Sequence, residues 1–184
     1  MTSDRTHLKD LLHRLARLVA AEGWGEDLNP TQRAALLYLA RANRFSRAPS
    51  HVADYLSATR GTVSQTLKSL HRKGLIRERR SETDKRSFSY EPTPEGIALV
   101  SSDDGLSKVL AQLSAEDADN FANQLTHLIS GLLEQREGRS FGVCRTCCHH
   151  EARGKTGFCT LLQVELGEEE RDRLCHEHKE AKAA

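Results

Sequence analysis

The chain has 184 residues, 38% of them hydrophobic and 29% charged, with a formal net charge of +1. That length supports one ordinary core with an appendage, or two small ones. It contains no apolar run of the eighteen or so residues that a membrane-spanning helix needs, and Met1 to Leu28 is too charged for a secretory signal. A soluble cytoplasmic chain without a membrane partner is expected.

The near-neutral total conceals a block structure. Residues 1–40 carry five basic and five acidic side chains, residues 41–90 twelve against four, and residues 91–184 ten against seventeen. A basic centre between neutral and acidic flanks suggests a local polyanion-binding face. Cysteine is more uneven still. None occurs before Cys144, and then Cys144, Cys147, Cys148, Cys159 and Cys175 follow closely.

Leu8, Leu11, Leu12, Leu15, Leu18 and Val19 recur at helical spacing and predict an amphipathic first helix, interrupted by Gly23 and Gly25. Asn29-Pro30-Thr31 starts a second helix over about Thr31 to Ala42, and Pro49-Ser50 a short third over His51 to Leu56. Thr59 can cap a fourth helix whose Val63, Leu67 and Leu70 share one face while Gln65, Lys68 and Arg72 point away; Gly74 ends it. Arg77 to Arg80 and Ser87 to Tyr90 predict two short strands around the polar turn 81–85, stopped by Pro92 and Pro94. Pro94-Glu95-Gly96 opens a helix to roughly Val100, Ser101 to Gly105 bends, and another helix follows from Leu106. Ser114 and Asp117 resemble a capping box ahead of the stripe Phe121, Leu125, Leu128, Ile129, Leu132 and Leu133, which by itself reads as intramolecular core. The fold class is therefore mainly α with a small β-hairpin. Its parts are an N-terminal helix (1–28), a three-helix and hairpin unit (29–96), further helices (97–137) and a cysteine-rich tail (138–184), the boundary lying near Gly138 to Gly142.

Three helices followed by a basic two-stranded hairpin is the order of a winged helix-turn-helix, whose last helix enters a major groove. The residue types suit that task. Gln65 can pair with adenine edges, Arg60 can fork onto guanine, and Thr62, Ser64 and Lys68 can bind base edges or phosphates. Gly61 lets the helix start approach the duplex closely. Arg79, Arg80, Lys85 and Arg86 surround the hairpin tip, with Asp84 able to orient a neighbouring arginine. His51 can touch a phosphate or stand exposed.

The run Thr59-Arg60-Gly61-Thr62-Val63-Ser64-Gln65-Thr66-Leu67, its continuation His71-Arg72-Lys73-Gly74-Leu75-Ile76-Arg77, the wing Asp84-Lys85-Arg86 and Thr93-Pro94-Glu95-Gly96 together resemble MarR-type regulators over about residues 7–136. The resemblance implies an obligate homodimer that reads a palindromic double-stranded DNA operator, with the first and last helices as the dimer interface. It makes the Thr59 helix the reader and matches Asp84 and Arg86 to the wing. It also implies transcriptional control, as a repressor, answering to a small-molecule, redox or metal effector.

The tail departs from that pattern. Cys144-x-x-Cys147 can bring two sulfurs onto one metal ion, and Cys159 and Cys175 can complete a four-thiolate set, as tetrahedral zinc requires. Cys148 is the spare; His149, His150, His176 and His178 are further candidates, and His178 can replace a cysteine. Zinc is favoured as cofactor over an iron-sulfur cluster, since both take thiolates but a lone zinc is commoner. A zinc would staple an appendage poor in large apolar side chains, whereas a cluster would make it a sensor. A metal-free thiol switch through Cys144 and Cys147 is a third course, and a disulfide framework suits neither the compartment nor the odd count. Glu168 to Arg173 reads as a solvated helix face. An enzyme using Cys147 with His149 or His150 has little support, because no P-loop or G-x-G-x-x-G is present and a Cys among several others suggests ligation. An architectural or adaptor protein that binds DNA without sequence preference is the remaining alternative.

Overall fold

The structure, a computed structural model, describes residues 2–21, 28–80, 88–101, 104–136 and 138–180. The predicted turn residues Ser81 to Lys85, Asp84 among them, and the wing residue Arg86 lie outside the described residues, as do Gly23, Gly25 and Ser87.

Helix α1 spans Thr2–Ala21 and α2 spans Pro30–Arg41. Asn29 caps α2 with a reciprocal box: its side chain accepts from the Gln32 N–H while the Gln32 side chain accepts from the Asn29 N–H. Helix α3 is Pro49–Tyr55 and α4 is Arg60–Arg72, capped by the Thr59 hydroxyl. Val63, Leu67 and Leu70 of α4 are fully buried against Leu36, Leu39 and Val52, so the predicted inward face is the observed one. Truncating such a side chain to alanine costs about 2–5 kcal/mol.

Gly74 ends the helix in the left-handed region at φ 73°, and the chain turns into β1, Ile76–Arg80, which pairs antiparallel with β2, Phe88–Pro92. The hairpin thus runs through Pro92, opposite Ile76, rather than stopping before it. A proline, which lacks an N–H, is tolerated at a strand end. Thr93 then joins three pieces. Its N–H donates to Leu75 O (3.0 Å), its hydroxyl donates to Gly74 O (2.8 Å), and the same oxygen accepts from Gly96 N as the cap of α5, Pro94–Val100. A Cβ at Gly96 would collide with the Leu75 backbone carbonyl. Gly96→Ala is expected to destabilise the fold by about 3 kcal/mol, read as a lowered denaturation midpoint with unchanged m-value.

Helix α6 is Gly105–Leu110 and α7 is Ala115–Gln135. Ser114 caps α7, and its hydroxyl also donates to the Asp117 carboxylate at 2.7 Å. The stripe on α7 is not intramolecular core. No described residue of α7 is buried, and Phe121, Leu128, Ile129 and Leu132 are 42–55% exposed. On α1, Leu8, Leu11, Leu15, Leu18 and Val19 are exposed in the same way. Two long amphipathic helices keep their apolar faces open because no described element of the same chain covers them.

The tail is a small β unit, which its helix-poor sequence had not indicated. Strand β3, Gly142–Val143, pairs with β7, Leu174–Cys175, while β4, His150–Arg153, β5, Thr156–Cys159, and β6, Val164–Leu166, form an antiparallel meander. Short 3-10 turns cover Cys144–Thr146 and Glu168–Asp172. The tail lies against the end of α2 and the turn that follows. Leu174 bridges Ala42, its carbonyl accepts from Asn43 N at 2.9 Å, Arg44 pairs with Glu170 at 2.6 Å, and Arg173 donates to the Ala40 carbonyl. Glu168, Glu169 and Asp172 are exposed, as a solvated face requires, while Glu170 and Arg173 form a seam onto the end of α2 and the turn after it.

Candidate nucleic-acid interface and cysteine centre

Burial of Val63, Thr66, Leu67 and Leu70 leaves the opposite side of α4 to solvent. Arg60, Gly61, Thr62, Gln65 and Lys68 are exposed there, and Ser64 is half-buried. The side chains of Arg60, Gln65 and Lys68 have no hydrogen-bond or ion-pair partner among the described residues. The Thr59 hydroxyl is already committed, accepting the Thr62 N–H at 3.2 Å, so it shapes the helix start. A Cβ at Gly61 would meet only the Thr59 hydroxyl oxygen at 3.9 Å; the interior does not require this glycine.

The hairpin is basic but partly self-neutralised. Arg77 and Arg79 share the Glu91 carboxylate at 2.9 Å each, which holds that carboxyl below its ordinary range against the opposing effect of its own burial, and Arg80 reaches Glu78 at 3.4 Å. These exposed pairs add little stability. They orient Arg77 and Arg79 on one face of the strand and Arg80 on the other. His51 is neither exposed nor free for a phosphate. It stacks on His176 with ring centroids 3.8 Å apart, and burial, then His176, lowers its pKa.

In the tail, Cys144, Cys147, Cys159 and Cys175 line one cavity of about 20 Å³ together with His149, His150, Asn43 and Phe45. That is close to the smallest space that holds a water. Cys148 is exposed and does not line it, and neither does His178, whose ring fills the space over Gly142 and meets the Thr146 hydroxyl at 2.9 Å. His149 and His150 each keep a buried Nε2 without a hydrogen-bond partner among the described residues. Burial lowers the His150 pKa, so the ring is held neutral. As they stand, no three described His, Cys, Asp or Glu side chains are arranged to hold a metal ion.

The buried Cys144 and Cys175 are hydrogen-bonded to each other. The bond from Cys144 pulls Cys175 down to about 6 despite burial, helped by Asn43, the Glu177 backbone N–H and Ser46. The same bond, then burial, pushes Cys144 up.

Asn43 and Ser46 were not recognisable as parts of this site. They stand in the turn after α2, about a hundred positions from the sulfurs they touch. Asn43 Nδ2 donates to Cys144 Sγ at 3.4 Å, and Lys179 N donates to Cys147 Sγ at 3.5 Å.

The fold and the outward face of α4 define a winged helix-turn-helix protein. Residues 26–87 match the model of the MarR family. Among solved structures, Streptococcus pneumoniae FabT in complex with DNA is similar with a TM-score of 0.57 at 22% identity, over 73% of this chain and 98% of that one. S. aureus MepR in its DNA-binding conformation gives 0.57 at 26% identity over 70% and 97%, and the MepR-DNA complex 0.52 at 25% over 69% and 96%. Nearly all of each neighbour is matched, while more than a quarter of this chain has no counterpart there. No curated protein matches the chain. Through its winged-helix region, the chain is similar to the MarR family. No described helix is long and apolar enough to cross a membrane.

Proposed function

We propose that the protein is a transcription regulator, acting as a repressor, that binds a palindromic operator as a homodimer and holds one metal ion in its tail. The observation that carries this reading is the exposed trio Arg60, Gln65 and Lys68, without partners among the described residues, on a capped helix beside an arginine-rich hairpin. FabT and MepR, its structural neighbours, have both been crystallised with DNA. The open apolar faces of α1 and α7 are what a second copy would cover, and the two reading helices would then fall about one helical turn, ~34–36 Å, apart. Selection from a random duplex pool is expected to enrich an inverted repeat. Gln65→Ala or Arg60→Ala should change the preferred bases, each at a cost of about 1–3 kcal/mol, whereas Lys85→Ala or Arg86→Ala should weaken all sequences alike. A pool that remains random after selection contradicts the reading.

For the tail, Cys144, Cys147, Cys159 and Cys175 are the proposed ligands. The size of their cavity favours a single zinc ion over an iron-sulfur cluster. Anaerobically purified protein is expected to be colourless with one zinc per chain. Iron with sulfide and a visible band would establish the cluster instead, and absence of any metal would leave a thiol switch.

A further inference from the structure

The cysteine cavity is shared between the tail and the helix-turn-helix. Its wall includes Asn43 and Phe45, from the turn joining α2 to α3. Asn43 is buried, and both ends of its amide are engaged: Nδ2 donates to Cys144 Sγ while Oδ1 accepts from Phe45 N at 3.1 Å. Ser46 is buried too. Its hydroxyl accepts from His176 N at 2.9 Å and donates to Cys175, and its carbonyl accepts from the Tyr38 hydroxyl at 2.6 Å.

The next residue, Arg47, accepts Tyr90 N of β2 on its carbonyl at 3.0 Å. One peptide unit therefore separates a sulfur contact from a wing contact. On the other side, His176 follows Cys175, meets Asp54 of α3 at 3.1 Å and stacks on His51 of α3. Helix α3 in turn packs on α4.

We propose that this centre is the regulator's effector site, that its ligand is a thiophilic divalent cation such as zinc, and that the loaded form is the tight DNA binder. Asn43 and Ser46 act as positioning residues that link the thiolates to the turn. The inference rests on the metal-binding reading of the tail and the DNA-binding reading of α4. On loading, the cation binds the cysteine sulfurs as thiolates, their protons passing to solvent, and the metal-bound sulfurs fix the Asn43 and Ser46 contacts of the turn. The turn, α3 and β2 are then ordered before DNA arrives. Without the cation these contacts loosen, and DNA binding must order them.

The test uses the full chain, kept anaerobic, stripped with a chelator and reloaded with Zn(II) or Co(II), on a duplex enriched by the loaded protein. Fluorescence anisotropy should show the loaded form binding about tenfold more tightly than the stripped form, within the range usual for coupled sites. Ser46→Ala should still take one cobalt per chain but move the thiolate-to-cobalt charge-transfer band, and its loaded-to-stripped ratio should fall below about threefold. If both wild-type forms bind DNA within twofold of each other, or the stripped form binds more tightly, the coupling is overturned and the regulator reading stands. If neither form binds any duplex, the regulator reading falls with it. If neither cation binds, the metal reading falls instead. An unmoved band with an unchanged ratio in Ser46→Ala overturns the assigned route. The wild-type comparison decides the coupling even if that variant does not fold.

Discussion

Leu18→Asp combined with Ile129→Asp should turn the protein into a monomer and lower its affinity for a palindromic duplex by about 10²–10⁴-fold, the usual loss when two linked sites become independent. These residues are 56% and 54% exposed on the two long helices whose apolar faces no described part of the chain covers. Contiguous exposed apolar surface of this kind marks an interface. Each carboxylate placed within it would be desolvated on pairing without a partner, and a buried unpaired charge is strongly unfavourable. Because neither side chain belongs to the winged-helix core, the thermal transition of that core should hardly move. Light scattering and anisotropy on the same samples check both halves. A wild type that is already monomeric, or a variant that remains dimeric, contradicts the interface.

The second large effect is expected for Cys175→Ser. The core of the tail is small: Cys144, Leu166 and Cys175 are buried, with Phe45, Cys159 and Val164 packed partly against them. So little apolar surface does not offset the ordering entropy of some forty residues. Structural zinc supplies on the order of 10–16 kcal/mol in comparable small sites. Losing one thiolate should lower metal affinity more than the ~10–100-fold typical of outer contacts. It should also remove hydrogen-exchange protection across 142–175 while α2 to α5 stay protected. Retention of both metal and protection in the serine variant would show that the sulfur is not a ligand.

Much of the winged-helix unit was legible because local chemistry there agrees with the tertiary outcome. Asn29, Thr59 and Ser114 cap the helices they precede, and Val63, Leu67 and Leu70 point inward as their spacing requires. The α7 stripe shows the limit of periodicity. It identifies an apolar face but says nothing about whether the same chain or another copy covers it. The tail was legible only as a set of sulfurs. Its strands are two to four residues long, too short for alternation to register. The seam through Glu170, Arg173 and Leu174, and the contacts of Asn43 and Ser46, join positions more than a hundred residues apart, which no local pattern encodes. His51 illustrates the same point, since its neighbour is supplied by the far end of the chain.

Operator recognition depends most on the outward face of α4 and the hairpin meeting a duplex. Its most direct measurement is the affinity of the full-length protein for an enriched inverted repeat and for a scrambled duplex, titrated from low to physiological salt. The expected result is a steep linear fall of log affinity with log salt, from release of counterions at several phosphates, with the repeat favoured by about 10³-fold or more throughout. Equal affinity for the two duplexes, or binding that salt leaves unchanged, would contradict it.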